Sequence, residues 1–264
     1  MKITVLAENT ACREDLTCEH GLSLLIETRD HCILFDAGQT DAFADNAHKL
    51  GIDLRQVDLA ILSHGHYDHS GGLARFLEIN TTAPVYLHPE AWTPHFNADG
   101  KYIGMDPALS ASPRLRCLDG ETTLAEGITL HNCNQQPRPI PFANFGLTMQ
   151  SGTEILPDNF HHEQYLQIEE AGKRICVSGC SHKGILNILS WFRPDVLVGG
   201  FHFMKLDPQV PADAEALDTA AIRLLQSPTV YYTGHCTGQA QFDFLKARMG
   251  DRLHDLSTGC VITL

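Results

Sequence analysis

The stretch SHGHYDHSGG, residues 63–72, directly follows the apolar run Val57–Leu62 and decides how the chain is interpreted. It holds three imidazoles and a carboxylate, which are ligands that zinc, iron and manganese accept. Four such side chains within six residues cannot all reach one ion at tetrahedral spacing. On a loop leaving a strand, His64 and His66 can point to one side while Asp68 and His69 point to the other. The stretch therefore predicts two metal ions; a polar surface loop that merely contains three histidines is the alternative.

Short β-like runs alternate with amphipathic helical runs on both sides of this loop. Val57–Leu62 is wholly apolar, as expected for a strand buried on both faces. Lys2–Ala7 and Cys32–Phe35 predict further strands, and Ile185–Phe192 and Gln239–Met249 predict helices. This alternation is typical of a layered α/β protein. With 264 residues, within the range of one large α/β domain, we predict a single domain over 1–264.

The segment 89–157 breaks the alternation. It is rich in Pro, Gly, Asn and Ser and has only brief strand-like pieces near 115–118 and 128–131. Long irregular insertions are often lids or binding loops, so we expect this one to shape a substrate pocket. Four of its side chains are able to stack on a ring or hold a phosphate: Trp92, Phe96, Tyr102 and Arg114. A structural flap or a dimer contact is the alternative interpretation.

Composition limits the partners of the protein. The formal net charge of −13 argues against nucleic acid, which needs a basic face, but a small anionic molecule is compatible with a metal site. No stretch approaches eighteen apolar residues, so no membrane span is expected, and the N-terminus lacks a signal-peptide pattern. The nine cysteines include no CxxC pair and are interpreted as reduced thiols. We therefore expect a cytoplasmic protein with a small-molecule substrate; the oligomeric state stays open.

Together with LFDAG at 34–38, the pattern His64-x-His66-x-Asp68-His69 after an apolar strand resembles the metallo-β-lactamase superfamily. This resemblance implies an αββα sandwich, in which two facing mixed sheets carry helices on their outer faces and a metal site lies at one sheet edge. Four further segments resemble the subgroup named for 7,8-dihydropterin-6-methyl-4-(β-D-ribofuranosyl)aminobenzene-5′-phosphate synthase. They are EHGLS at 19–23, GCSHKGI at 179–185, GGFH at 199–202 and GHCTG at 234–238.

The resemblance also implies that the remaining metal ligands follow later strands. His182 comes just past the predicted strand 174–178 and is expected to join His64 and His66. His235 follows the predicted strand 229–233 and is expected to join Asp68 and His69.

The chain departs from the common family pattern in two places. The third histidine of the first site often precedes its strand, where His161 and His162 stand, and a bridging aspartate is expected where Cys180 stands. We favour His182 over the earlier pair, because that pair fits an exposed loop. Cys180 is interpreted either as a metal ligand or as a buried, inert thiol.

Supporting and catalytic roles fall on three residues. Asp36, at a strand end, is expected to accept the second ring N–H of a ligand histidine. Asp68 is expected both to ligate metal and to orient a water. His202, flanked by Gly199-Gly200 and Lys205, is expected to contact substrate or donate a proton, although a lone histidine is more often structural.

We predict a metallo-hydrolase or group-transfer enzyme with two divalent transition metals, zinc first and manganese or iron as alternatives. The ions would polarise a small phosphorylated or pterin-like substrate and generate a metal-bound hydroxide. The subgroup name implies a condensation rather than hydrolysis. Two other classes are kept: a non-catalytic metabolite-binding sensor on the same fold, and a di-iron redox protein.

Overall fold

The computed structural model describes residues 1–264, and the chain forms two compact units. The first unit comprises Met1–Gly120, Gly146–Gln164 and Ser257–Leu264, and the second comprises 121–145 and 165–256. Each unit contains one seven-stranded mixed sheet. That the whole chain is one domain stays a prediction.

The strands are β1 (Lys2–Ala7), β2 (Ser23–Glu27), β3 (Cys32–Phe35), β4 (Leu59–Ile61), β5 (Val85–Leu87), β6 (His95–Phe96), β7 (Leu115–Cys117), β8 (Thr122–Ala125), β9 (Ile128–His131), β10 (Thr148–Ser151), β11 (Glu154–Pro157), β12 (Tyr165–Glu170), β13 (Lys173–Val177), β14 (Val196–Val198), β15 (Val230–Thr233), β16 (Leu253–Asp255) and β17 (Val261–Thr263). The α-helices are α1 (Ala42–Lys49), α2 (Tyr67–Ser70), α3 (Leu73–Ile79), α4 (Ile185–Phe192), α5 (Pro211–Leu225) and α6 (Gln239–Met249). Short 3₁₀ helices span Leu54–Gln56, Pro89–Trp92, Pro107–Ala111, His235–Thr237 and Gly250–Arg252. None of the helices has both the length and the apolar character that crossing a bilayer requires.

In the first unit, the sheet order is β17-β1-β2-β3-β4-β5-β7. β3, β4, β5 and β7 run parallel, so their carboxyl ends meet at one sheet edge. β4 is buried along its whole length, as its apolar sequence predicts. The core against this sheet includes Phe43 of α1 and Phe76 of α3, both fully buried. This arrangement sets the start of the histidine loop, residues 63–72, at the edge where β3 and β4 end.

In the second unit, the sheet order is β16-β15-β14-β13-β12-β9-β8. β13, β14, β15 and β16 are parallel, whereas β12 pairs antiparallel with β13 and β9. Buried side chains from α4, α5 and α6, among them Ile188, Leu224 and Leu245, form its core with Tyr165 and Tyr231. Because β13, β14 and β15 end at the same edge, the segments after them, which carry the later sequence motifs, are brought to one side of the sheet.

The segment 89–157 is more regular than the sequence predicts. It contains six strands, β6 to β11. β7 extends the first sheet, β8 and β9 extend the second, and β11, β10 and β6 form a three-stranded sheet in the first unit. These strands are short, only β6 and β9 contain buried residues, and all four residues of β11 are exposed, so the alternating pattern that reveals a half-buried strand is weak.

Candidate metal centre

The histidine loop of the first unit buries its polar side chains. His64 and His69 have no exposed surface, and His66 and Asp68 are 5% and 8% exposed. The ring centroids of His64 and His69 lie 4.1 Å apart, and those of His64 and His66 lie 4.6 Å apart. Burial lowers the pKa of His66 well below its ordinary value, and the neighbouring His162 and His95 lower it further. Burying several basic rings together is costly unless something binds them, and a metal ion does so.

Asp36 organises two of these rings. Its carboxylate is completely buried; Oδ1 accepts the Ser63 backbone N–H at 2.6 Å, and Oδ2 accepts the Ser63 hydroxyl at 2.7 Å. The same Oδ2 accepts the N–H of His69 Nδ1 at 2.7 Å. Because the Ser63 hydroxyl donates to Asp36, its oxygen accepts the N–H of His64 Nδ1 at 2.8 Å. One carboxylate therefore holds both histidines with the proton on Nδ1.

This tautomer places the lone pairs of His64 and His69 on Nε2, which is the state that a metal needs from a neutral imidazole. The contact that the predicted supporting role of Asp36 requires is thus present, and Ser63 extends it to a second ring. Nothing in the sequence pattern identified Ser63, although its position between the apolar strand and His64 is where such a link must lie.

Asp68 lies beside this pair. Its Oδ2 is 3.9 Å from His69 Nε2, and with bonds of about 2.1 Å to an ion, two ligand atoms on that ion lie at most about 4.2 Å apart. His20 approaches the same oxygen, with Nε2 at 3.4 Å from Oδ2 and its side chain 41% exposed. The donor set of the loop therefore fits a divalent transition metal in type, burial and proton arrangement.

A second group of buried side chains with metal-binding atoms lies in the first unit and was not predicted. His66, His95, Asp158 and His162 place one ligand atom each within 4.8 Å of one another. Asp158 Oδ2 lies 2.7 Å from His95 Nδ1 and 3.4 Å from His162 Nε2. Burial alone would raise the pKa of Asp158, but the hydrogen bonds from His162 and His95 outweigh it and hold that pKa well below its usual range. An ionised carboxylate is thus enclosed by imidazoles next to the histidine loop.

His162 is buried, so the expectation that it belongs to an exposed loop is wrong; it is 1% exposed. Its neighbour His161 does keep an accessible side chain, 40% exposed. The ring of His162 is nonetheless committed elsewhere, because its Nδ1 accepts the Gly65 backbone N–H at 2.9 Å. In a neutral ring the proton then sits on Nε2, which faces Asp158. This arrangement favours His162 as a support of the loop rather than as a ligand.

The second unit brings together the residues that follow β13 and β15. Cys180, His235 and Cys236 are all buried, with ligand atoms within 4.8 Å of one another. Burial alone would raise the pKa of the Cys236 thiol, but hydrogen bonds with Cys180 and His202 and the field of His235 lower it well below its ordinary value. Cys236, which the sequence interpretation overlooked, places a second thiol beside Cys180. All nine cysteines are free thiols.

His182 and His202 also lie together in the second unit, with ring centroids 4.3 Å apart. Both line a cavity of about 470 Å³, together with Phe145, whose ring centroid is 5.2 Å from that of His202. His202 adopts a left-handed backbone conformation with φ of 58°. Strained backbone of this kind in a non-glycine residue is concentrated at functional sites.

The four side chains of the segment 89–157 that we expected to stack on a ring or hold a phosphate make other contacts. Arg114 is not positioned to bind phosphate, because its guanidinium donates to the backbone carbonyls of Leu77 at 2.5 Å and Ala83 at 3.3 Å. Trp92 packs against the core of the first unit, and Phe96 contacts Tyr102 with centroids 5.8 Å apart. Instead, other rings of this segment, Phe142 and Phe145, line the cavity of the second unit.

The chain belongs to the metallo-β-lactamase superfamily, whose family model matches residues 16–235. Over 96% of its length it is 30% identical to 7,8-dihydropterin-6-methyl-4-(β-D-ribofuranosyl)-aminobenzene-5′-phosphate synthase of Methanocaldococcus jannaschii, of which it covers 94%. Among solved structures, Tm1679, a metal-dependent hydrolase of the β-lactamase superfamily, is similar with a TM-score of 0.83 and 27% identity; the match covers 100% of this chain and 99% of that one. YhfI from Bacillus subtilis, with a TM-score of 0.59, 13% identity and 99% coverage of both chains, is similar in fold alone.

These findings confirm the family resemblance, including that to the synthase subgroup, and the α/β metallo-β-lactamase fold with two mixed sheets. The chain has the fold of metal-dependent hydrolases and carries His/Asp clusters suited to metal. Its membership and its synthase relative support an enzyme. The ligand assignments, including His182 and His235, stay predictions.

Proposed function

We propose that this protein is a metal-dependent enzyme that acts on a small phosphorylated or pterin-like molecule by hydrolysis or group transfer. The observation that carries the proposal is the Asp36–Ser63 pair, which fixes His64 and His69 in the tautomer that a metal requires. One carboxylate sets the same tautomer in two neighbouring buried rings, with both lone pairs on Nε2, which packing alone does not require. The substrate class comes from the name of the synthase relative, which aligns over 96% of this chain.

Two divalent ions, zinc first and manganese or iron as alternatives, are proposed. His64, His66, Asp68 and His69 would hold them from the first unit, and His182 and His235 of the second unit are the further ligands that the sequence predicts. When bound, such ions supply Lewis acidity toward a substrate oxygen and lower the pKa of a water.

The chain's own residues supply orientation and proton transfer. Asp36 fixes the ligand rings, and Asp68, with a carboxylate oxygen in reach of His69 and His20, is suited to hold a water by a hydrogen bond. His202, half-buried at the cavity, is the proposed proton donor. Its ring centroid lies 4.3 Å from that of His182 and 5.2 Å from that of Phe145.

Elemental analysis of protein grown with added zinc, manganese or iron, together with turnover of phosphoesters, thioesters and lactams, tests the proposal. We expect about two metal ions per chain and activity in at least one substrate class. His64→Ala should lose metal and activity, whereas His48→Ala, on the exposed face of α1, should keep both. Well under one metal per chain in the wild type would refute the metal site.

Tight metabolite binding with bound metal and without turnover would instead favour the sensor. A cytoplasmic location and a small-molecule partner, both expected from the sequence, are part of the same proposal.

A further inference from the structure

We propose that the cavity of the second unit binds a planar, uncharged aromatic ring system of the substrate, with Phe142 and Phe145 as its specificity-determining residues. This deepens the proposed function and rests on it, because the ring is taken to belong to the molecule on which the enzyme acts. The chain fixes one wall of the cavity by hydrogen bonds to its backbone.

That wall is the segment 132–145, called here the strap, and its backbone is held by Lys183 and by two side chains of α4. Asn187 makes a paired contact with Ile140, donating from Nδ2 to its carbonyl at 2.8 Å and accepting its N–H on Oδ1 at 3.1 Å. Lys183, buried at 0% exposure, donates from Nζ to the Asn132 carbonyl at 2.5 Å. Trp191 donates from Nε1 to the Pro137 carbonyl at 3.1 Å.

Asn187 and Trp191 are spaced four apart on α4, so they lie on one side of the helix, and Lys183 precedes its first turn. The GCSHKGI motif therefore places His182 at the cavity and also supplies Lys183, the first of the residues that anchor the strap. Gly184 lets the strap approach closely, because a Cβ there would stand 2.9 Å from the Cβ of Phe142. The strap is thus tied at three points along its backbone, and the cavity has a pre-formed wall.

The chemistry of the cavity selects the ligand. Its strap wall presents Phe142 and Phe145, Phe201 and Phe203 add two more rings, and the solvent-facing side of α5 contributes small residues such as Ala216. Its volume of about 470 Å³ lies within the range of small-molecule pockets, roughly 300–1,000 Å³. Aromatic walls favour a flat partner that stacks or meets them edge-on.

The charged side chains argue against a phosphate as the occupant. The lining contains one arginine, Arg223, and one carboxylate, Glu215, which leaves no excess positive charge. Phosphate sites instead gather several cationic or N–H donors. A neutral ring, with its polar edge turned toward His182 and His202, satisfies the cavity better than an anion does.

Saturation-transfer NMR with three probes tests the inference: quinoline, the non-aromatic cyclohexanecarboxamide, and inorganic phosphate followed by its own phosphorus signal. The variant Ala216→Trp fills the cavity from an exposed helix position. The matched control is Ile222→Trp on the same helix, where the native side chain is 62% exposed and does not line the cavity. Phe145→Leu removes the ring while keeping apolar bulk. Circular dichroism and metal content verify that each variant folds like the wild type.

We expect the wild type and Ile222→Trp to bind quinoline equally and the other two probes much more weakly. Ala216→Trp should weaken quinoline binding at least about tenfold, and Phe145→Leu by roughly 2- to 10-fold, the contribution of one aromatic contact. No quinoline binding by the wild type, or equal binding by Ala216→Trp, or a preference for phosphate, would each overturn the inference.

The two proposals fail separately. If the wild type lacks metal or turnover but binds quinoline in an Ala216-dependent way, the metal enzyme is wrong and the ring cavity stands. If metal and turnover are present but the cavity variants bind quinoline as well as the wild type does, the ring cavity is wrong and the metal enzyme stands.

Discussion

Replacing Asp36 by asparagine is the sharpest test of the metal centre. The amide oxygen can still accept the Ser63 N–H, but the NH₂ group then faces the Ser63 hydroxyl and His69 Nδ1, where the carboxylate had accepted protons. An NH₂ group is a donor, so His69 must present an unprotonated Nδ1 and shift its proton to Nε2. That shift removes the lone pair with which His69 would ligate a metal, although the shape of the side chain is almost unchanged.

The magnitude follows from the three hydrogen bonds that the carboxylate accepts. A bond to a charged group contributes roughly 1.5–3 kcal/mol and a neutral one roughly 0.5–1.5 kcal/mol, so each loses about 1 kcal/mol when the charge goes. The total of about 3 kcal/mol is an upper limit for the stability loss, because the amide costs less to bury than the carboxylate. Metal affinity should fall about 10- to 100-fold, the usual effect of removing a partner that orients a ligand histidine, which is about 1.4–2.7 kcal/mol.

Competition with a chromophoric chelator measures the affinity, and urea unfolding of chelator-treated protein measures the stability. Asp58→Asn is the matched control, since Asp58 also accepts from a histidine, His31 Nδ1 at 3.2 Å, but is 44% exposed and outside the histidine loop. Ser63→Ala should have a smaller effect than Asp36→Asn, because it breaks only the link to His64. Wild-type metal affinity in a folded Asp36→Asn protein would show that the carboxylate does not set the tautomers of the ligands.

Three further predictions concern His66, Arg114 and His182. The metal-free protein should lose stability as pH falls below about 6.5. The reason is that the pKa of His66 is lowered in the folded state, so the unfolded chain takes up its proton at a higher pH than the folded chain does. His66→Gln should therefore reduce the slope of the unfolding free energy against pH by up to about 1.4 kcal/mol per pH unit. Arg114→Ala should cost about 1–3 kcal/mol in urea unfolding and leave substrate KM unchanged, because its guanidinium binds backbone carbonyls; a raised KM for phosphorylated substrates would contradict this assignment. In elemental analysis, His182→Ala should lose metal while His162→Ala keeps it; the opposite result would make His162 the ligand.

Much of the fold could be predicted because its central strands are wholly apolar and its helices amphipathic. Lys2–Ala7, Cys32–Phe35 and Ile185–Phe192 have the bounds that their patterns predict. The strands β6, β8, β10, β11 and β16 escaped prediction, since two- to four-residue strands are too short to show a clear periodic pattern. Local pattern also did not reveal the short helix α2, which Gly71 and Gly72 separate from α3.

The residues of the candidate site also divide into those that the sequence could predict and those that it could not. His64, His66, Asp68 and His69 were predictable, because they lie in one short loop whose composition is unusual. His95 and Asp158 were not, since 63 residues separate them and only the three-stranded sheet, in which His95 of β6 pairs with Met149 of β10, brings them together. Ligand sets that depend on such pairing are invisible to spacing, and they require the tertiary structure.

The histidine loop also shows why its glycines cannot be separated from its ligands. A Cβ at Gly65 would collide with the backbone of Ala91, and one at Gly71 or Gly72 would collide with the backbone of the segment 37–40. The Gly65 N–H binds His162, and Asp36 binds the Ser63 backbone and side chain, so neighbouring segments hold this loop from several sides. A site whose rings are packed and hydrogen-bonded before a metal arrives gives up less entropy when the metal binds. The ten residues that supply the ligands are therefore also held rigidly. This explains how the segment between β4 and α3 can keep four predicted ligand side chains in place.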